Sequence, residues 1–122
     1  ALLFLGDGHA VQCHCELAGT GIEVPMEVEF GIDLLPSKTI SMPRGENADQ
    51  RFTLGIDRPL ENALQAAVTE MLTWLQEDGL SMDDACQMMG QAARFELGNV
   101  ISPAYSIACL LDKKTLNASG NF

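Results

Sequence analysis

The strongest constraint on the fold is a run of alternation. Val24, Met26, Val28, Phe30, Ile32 and Leu34 alternate with Glu23, Pro25, Glu27, Glu29, Gly31 and Asp33. Successive side chains on a strand point to opposite faces, so this pattern predicts a long strand with one apolar and one acidic face. Pro25 fits only near its start or on a sheet edge. Pro36-Ser37-Lys38 predicts a turn, and Thr39-Ile40-Ser41-Met42 a return strand. Residues 43–49 read as a polar loop and Gln50 to Ile56 as another strand. Ahead of all these, Ala1-Leu2-Leu3-Phe4-Leu5 reads as a buried strand.

The period then changes. Leu60, Ala63, Leu64, Ala67, Val68, Met71, Leu72 and Leu75 fall on one face at helical spacing. Pro59 suits the first helical turn and Asp78-Gly79 closes the helix. Ser81, followed three residues later by Asp84, caps a second helix. Its apolar face is Ala85, Met88, Met89, Ala92, Ala93, Leu97 and Val100, and the short link predicts an antiparallel helix pair. Pro103 ends the helical region, Tyr105 to Leu111 reads as a last strand, and residues 113–122 as a frayed polar tail. Strands, then helices, then a strand predict an α+β fold: an antiparallel or mixed sheet with an antiparallel pair of helices on one face. Residues 1–122 read as one such domain.

Composition narrows the partners. The 122 residues are 47% hydrophobic and carry a formal net charge of −10, which predicts a folded chain with no basic stripe for nucleic acid. The same charge disfavours an anionic membrane surface, and the sequence has neither a spanning apolar run nor a cationic leader. Opening at Ala1 inside an apolar run, it reads as a fragment or a processed product. Of four cysteines, Cys13 and Cys15 are poorly placed to bridge each other on a strand. Cys86 and Cys109 lie in apolar patterns and read as structural thiols, which predicts reduced cysteines and a cytoplasmic setting. Trp74 reads as core, the methionines as packing residues, and Glu27, Glu29 and Asp33 as a solvated face.

Chemistry is concentrated between Gly6 and Glu16. Asp7, His9, Cys13, His14, Cys15 and Glu16 supply two carboxylates, two imidazoles and two thiols, interleaved with glycines. On an unbulged strand Asp7, His9, Cys13 and Cys15 share a face, an Asp-His-Cys-Cys set suited to tetrahedral zinc. His14 then faces the other way, toward a different metal or a subunit interface. Copper and nickel also accept thiolate and imidazole. A Cys13 or Cys15 nucleophile with His9 or His14 as base is a rival mechanism. Glu16 and Glu23 are the candidate general bases.

Gly6-Asp7-Gly8-His9-Ala10, Gln12, Glu16 and Gly19-Thr20-Gly21-Ile22-Glu23 resemble the acetamidase/formamidase family. So do Thr53-Leu54-Gly55-Ile56, Leu60-Glu61-Asn62-Ala63-Leu64, and Asn99-Val100 with Pro103 and Tyr105. The resemblance implies the C-terminal region of a hydrolase that converts short aliphatic amides to carboxylate and ammonia. It implies a divalent metal, zinc foremost, held by Asp7, His9 and His14, with Glu16 as first general base and Glu23 second. The family's Gly-Asp-Gly-Glu is Cys13-His14-Cys15-Glu16 here, which opens an alternative: a non-catalytic or engineered metal-binding scaffold. The expected partners are a small amide, a companion chain or segment carrying the family's N-terminal portion, and further copies of this chain.

Overall fold

A computed structural model describes residues 8–12 and 16–118. The expected strand at residues 1–5 lies outside them. Strands β1 (Gly8–Gln12) and β2 (Gly21–Val24) form an antiparallel pair. Strands β3 (Arg44–Glu46), β4 (Gln50–Asp57), β5 (Arg94–Asn99) and β6 (Tyr105–Asp112) form an antiparallel sheet in the order β3-β4-β6-β5. Helices α1 (Leu60–Glu77) and α2 (Met82–Ala92) separate β4 from β5, and α3 (Lys113–Ala118) follows β6. The class is α+β, as the order of patterns predicts.

The core lies between α1 and the two central strands. Ala63, Ala67, Met71 and Leu75 recur at helical spacing and are fully buried. Ile107, Cys109 and Leu111 alternate on β6, so their buried side chains share one face. On β4 the residues paired with Ile107 and Cys109 are Gly55 and Thr53. Gly55 admits the helix: a Cβ there would lie 1.7 Å from the Ala63 carbonyl oxygen. Thr53 Oγ1 donates to the Ala67 carbonyl at 2.7 Å, satisfying the buried hydroxyl. Burial pushes the neighbouring Cys109 thiol up to about 11, so it stays neutral and unreactive.

The helix signals act as their chemistry predicts. Gly79, at φ +105°, ends α1: its N–H donates to Gln76 O at 3.0 Å and Leu80 N–H to Leu75 O at 3.1 Å, satisfying terminal carbonyls while Leu80 is buried. Ser81 Oγ accepts from Asp84 N at 3.1 Å and caps α2.

Several expectations are corrected. Among the described residues the long alternating strand stops at Val24, and residues 25–35 join no ladder. Alternation specifies a face but supplies no neighbour, and a strand without a neighbour has no hydrogen bonds to hold it. The return strand at 39–42 is irregular because Ser41 and Met42 spend their N–H groups on Glu70 Oε2, each at 3.2 Å. The polar loop contains β3, drawn onto the β4 edge. The second helix ends at Ala92, and residues 94–99 pair along β6 instead of extending a helix to Val100. Part of the frayed tail is α3, with Leu116 buried against the core.

Trp74 is half-buried rather than core, with the Arg44 and Arg51 guanidinium carbons 5.4 and 4.8 Å from its ring centroid. Met82 and Cys86 are exposed, whereas Met71 and Met89 are buried. Cys86 and Cys109 are free thiols. Glu27, Glu29 and Asp33 are exposed, as expected.

Gly55→Ala is expected to destabilise the chain by about 3 kcal/mol or more, because backbone rather than a flexible side chain opposes the added carbon. Chemical denaturation measures this, and an unchanged midpoint would show that α1 can retreat without cost. A second test uses acid. Arg94 hydrogen bonds, then Gln50, lower the Asp112 carboxyl from 3.8 to about 2. A depressed folded-state pKa means that this stabilisation is present above pH 3.8 and is lost as pH falls through about 2. Asp112→Asn is therefore expected to lower the urea midpoint at pH 7 and to converge with the parent at the acid end. Parallel pH curves would exclude the pair as the source.

Candidate active site

The chemistry sits on the β1–β2 hairpin and on the turn that follows β5. His9 and Glu23 are cross-strand partners, with His9 Nε2 and Glu23 Oε1 2.7 Å apart. An ionised carboxylate only accepts, so Nε2 carries the proton in this pair. Gly21 makes room for the ring, since a Cβ there would lie 2.7 Å from His9 Cδ2. The Gly21-Ile22-Glu23 segment thus serves one side chain: the glycine admits the imidazole and the glutamate orients it.

The register shifts between His9 and Val11, where Ala10 is an extra residue on β1. A bulge interrupts alternation. The single-face set of Asp7, His9, Cys13 and Cys15 assumed an unbulged strand, so alternation no longer supports it. Asp7, Cys13, His14 and Cys15 themselves lie outside the described residues. Among the described residues no three His, Cys, Asp or Glu groups gather as a metal site.

Glu16 is placed by a different contact. Its backbone has φ +55°, a left-handed conformation costing a residue other than glycine on the order of 1–2 kcal/mol. Its carbonyl accepts from Gly19 N at 2.8 Å, and Gly19 is also left-handed at φ +72°. Its carboxylate Oε2 accepts from Asn99 Nδ2 at 2.6 Å, across 83 residues of sequence. Such strain persists where surrounding contacts over-determine it, and it recurs at functional sites.

Asn99 is the site residue to which sequence reasoning assigned no role, although it lies in a segment that carries the family resemblance. Its Oδ1 accepts from Ile101 N at 3.0 Å and Ser102 N at 2.8 Å, and its own N–H donates to Ser106 Oγ at 2.9 Å. The two backbone donors determine which end of the amide is oxygen, so Nδ2 must face Glu16. Arg58 braces the same turn, donating from Nη2 to Ser102 O at 2.8 Å with its guanidinium 4.3 Å from the Tyr105 ring centroid.

Two centres therefore emerge: an oriented imidazole at His9–Glu23 and an oriented carboxylate at Glu16–Asn99. The first can ligate or relay a proton, and the second can accept one. An antiparallel sheet with helices packed on it, plus a β1–β2 hairpin that carries His9 and Glu23 and whose connection brings Glu16 to Asn99, defines an α+β protein.

Solved structures make the likeness specific. The acetamidase from Yersinia enterocolitica matches with a TM-score of 0.77 and 32% identity, over 88% of this chain and 33% of its own. A predicted acetamidase/formamidase from the thermophile Thermoanaerobacter tengcongensis matches with a TM-score of 0.82 and 19% identity, over 93% and 38%. An acetamidase from Bacillus halodurans matches with a TM-score of 0.60 and 18% identity, over 66% and 28%. The likeness is thus to acetamidase/formamidase structures, the family that the sequence motifs resemble. This chain spans about a third of the length of the structures it matches. No family model matches the sequence, and no curated protein matches it.

Asn99→Ala removes the donor to Glu16 and the acceptor for two backbone N–H groups. It is expected to cost about 1–3 kcal/mol and to speed exchange of the Gly19 amide, read by hydrogen exchange. Unchanged exchange at Gly19 would mean that Asn99 does not hold the Glu16 turn.

Proposed function

We propose that this chain carries part of the active site of a metal-dependent hydrolase of short aliphatic amides, yielding a carboxylate and ammonia. The observation that supports it most is the 32% identity to the Yersinia acetamidase, joined with a strained, donor-anchored Glu16. Residues Asp7, His9 and His14 would hold the metal, with Cys13 and Cys15 as further donors. An imidazole oriented by a carboxylate, as Glu23 orients His9, is the usual outer-shell arrangement of a metal-binding histidine, so His9, the one described donor of this set, fits the assignment. The bound ion, zinc foremost, would polarise the amide carbonyl and acidify water.

Glu16 takes the proton from the attacking water and passes it to the departing nitrogen. Water oxygen bonds to the carbonyl carbon, the C–N bond breaks, and ammonia leaves. The Asn99 contact keeps the carboxylate aimed while its proton comes and goes. Glu23 is second choice as base and first choice as the group that orients His9.

The chain's short span relative to those acetamidases favours a second reading for the chain by itself: a metal-binding scaffold built on Cys13, His14 and Cys15, without turnover. Elemental analysis and ammonia release from formamide and acetamide decide between them. The chain is assayed alone and in a chimera, in place of the matched third of the Yersinia acetamidase. The hydrolase reading expects stoichiometric metal, turnover in the chimera, and a loss of about 100- to 10,000-fold in Glu16→Gln, which preserves the acceptor for Asn99. Metal without turnover in a folded chimera leaves the scaffold, and metal in neither protein removes both readings.

A further inference from the structure

The turn between β5 and β6 is built around one side chain, and an arginine from the end of β4 closes it. Gly98 is the extra residue where the β5–β6 register shifts, and a Cβ there would lie 2.5 Å from Ser106 Oγ. Without that carbon, Ser106 comes close enough to accept from the Asn99 backbone N–H at 2.9 Å. Asn99 then enters the turn, where Ile101 and Ser102 donate to its Oδ1 and its Nδ2 reaches Glu16.

Ser102 is gripped at both ends. Its N–H is on Asn99 Oδ1, and its carbonyl accepts from Arg58 Nη2 at 2.8 Å, across 44 residues of sequence. Holding both groups fixes the backbone of Ser102, and with it the direction of the donor that orients the Asn99 amide. Arg58 is itself held. Asp57, the residue before it, pairs with Tyr105 on β6, and the Arg58 guanidinium carbon lies 4.3 Å from the Tyr105 ring centroid. The Arg58 N–H donates to Asp57 Oδ1 at 2.7 Å, and its carbonyl accepts from Asn62 Nδ2 at 3.2 Å. A planar guanidinium held at an aromatic ring presents its donors in a fixed fork, which a lysine ammonium does not.

The path therefore runs from Arg58 through Ser102 and Asn99 to Glu16. Glu16 needs such a hold, because a φ of +55° is not one its own backbone favours. We propose that Arg58 is a positioning residue for Glu16, keeping the carboxylate in the aim that proton transfer requires. The inference rests on the hydrolase reading, in which Glu16 is the base. Misplacing a reacting group by about 1 Å costs up to ~100-fold in rate.

Two measurements test it. In the chain itself, Arg58→Ala is expected to speed exchange of the Gly19 amide ~10-fold, since that N–H is bonded to the Glu16 carbonyl. Both changes act along one path, so Arg58→Ala is expected to add nothing in an Asn99→Ala background. In the chimera with the Yersinia acetamidase, Arg58→Ala is expected to lower kcat ~10- to 100-fold at constant KM. Arg58→Lys, which keeps a donor but not the fork, is expected to recover part of that loss. With Glu16→Gln already in place, Arg58→Ala is expected to change kcat by less than ~2-fold.

Unchanged Gly19 exchange, a loss carried by KM, or losses that add in either double variant overturn the inference. So does full activity of Arg58→Ala in a chimera that turns over, an outcome that leaves the hydrolase reading standing. A folded parent chimera without turnover removes the hydrolase reading itself, and the role of Arg58 goes with it. Should Arg58→Ala not fold, Arg58→Lys carries the same comparisons. Should the chimera not fold, the Gly19 comparison in the chain decides.

Discussion

The close crossing of α1 over β4 is the contact on which the rest of the architecture depends. Gly55 has no side chain, so the helix backbone settles where a Cβ would sit, and Ala63 and Ala67 are small enough to face the strand there. Thr53 fastens the same crossing by hydrogen bonding to the Ala67 carbonyl. With the helix this near, Met71 and Leu75 reach the β6 row of Ile107, Cys109 and Leu111, and α2 adds Ala85 and Met89. Burying such side chains contributes about 1.5–3 kcal/mol each. Interiors are packed nearly as densely as organic crystals, so the crossing distance governs whether those contacts are made.

Charges close the side of this core near β3. Glu70 on α1 is buried, yet it accepts from Arg44 Nε at 2.6 Å and from the N–H groups of Ser41 and Met42. The remaining Arg44 nitrogens grip Glu77 at 2.7 and 2.9 Å, with the ring of Trp74 beside them. This grip, with Lys38 adding to it, holds the Glu77 carboxyl at about 2, and Glu77 in turn raises the Arg44 guanidinium. A buried carboxylate is tolerable only when paired and hydrogen-bonded. The arrangement ties the otherwise irregular 39–43 segment to α1, and it carries the chain into β3 on the edge of β4.

The candidate site was partly legible. His9, Glu23 and the glycine between Thr20 and Ile22 stand close in sequence on adjoining strands, and their contact follows from a hairpin register. The bulge at Ala10 was not legible, because nothing in the residue types marks where the extra residue falls. The partner of Glu16 was hidden for another reason. Asn99 lies 83 residues away, and the direction of its amide is decided by the turn at Ile101 and Ser102. Neither its type nor its spacing announces a role, and only its membership of a family-like segment singled it out.

What the sequence by itself determined were the elements whose signals are local: α1 with its Gly79 stop, the Ser81 start of α2, and strands β4 and β6, which are buried on the helix side. What only the tertiary structure decided were the elements that borrow stability from a neighbour. Residues 94–99 carry apolar spacing that a helix can use, but the free edge of β6 and the Arg94–Asp112 pair claim them as β5. Residues 44–46 become a strand because β4 offers an edge, and Lys113–Ala118 forms a helix with Leu116 against the core. Residues 25–35 have the best strand pattern in the chain and no strand partner among the described residues. A helix satisfies its backbone within its own segment, whereas a strand takes its hydrogen bonds from another, so its existence is a property of the assembled fold.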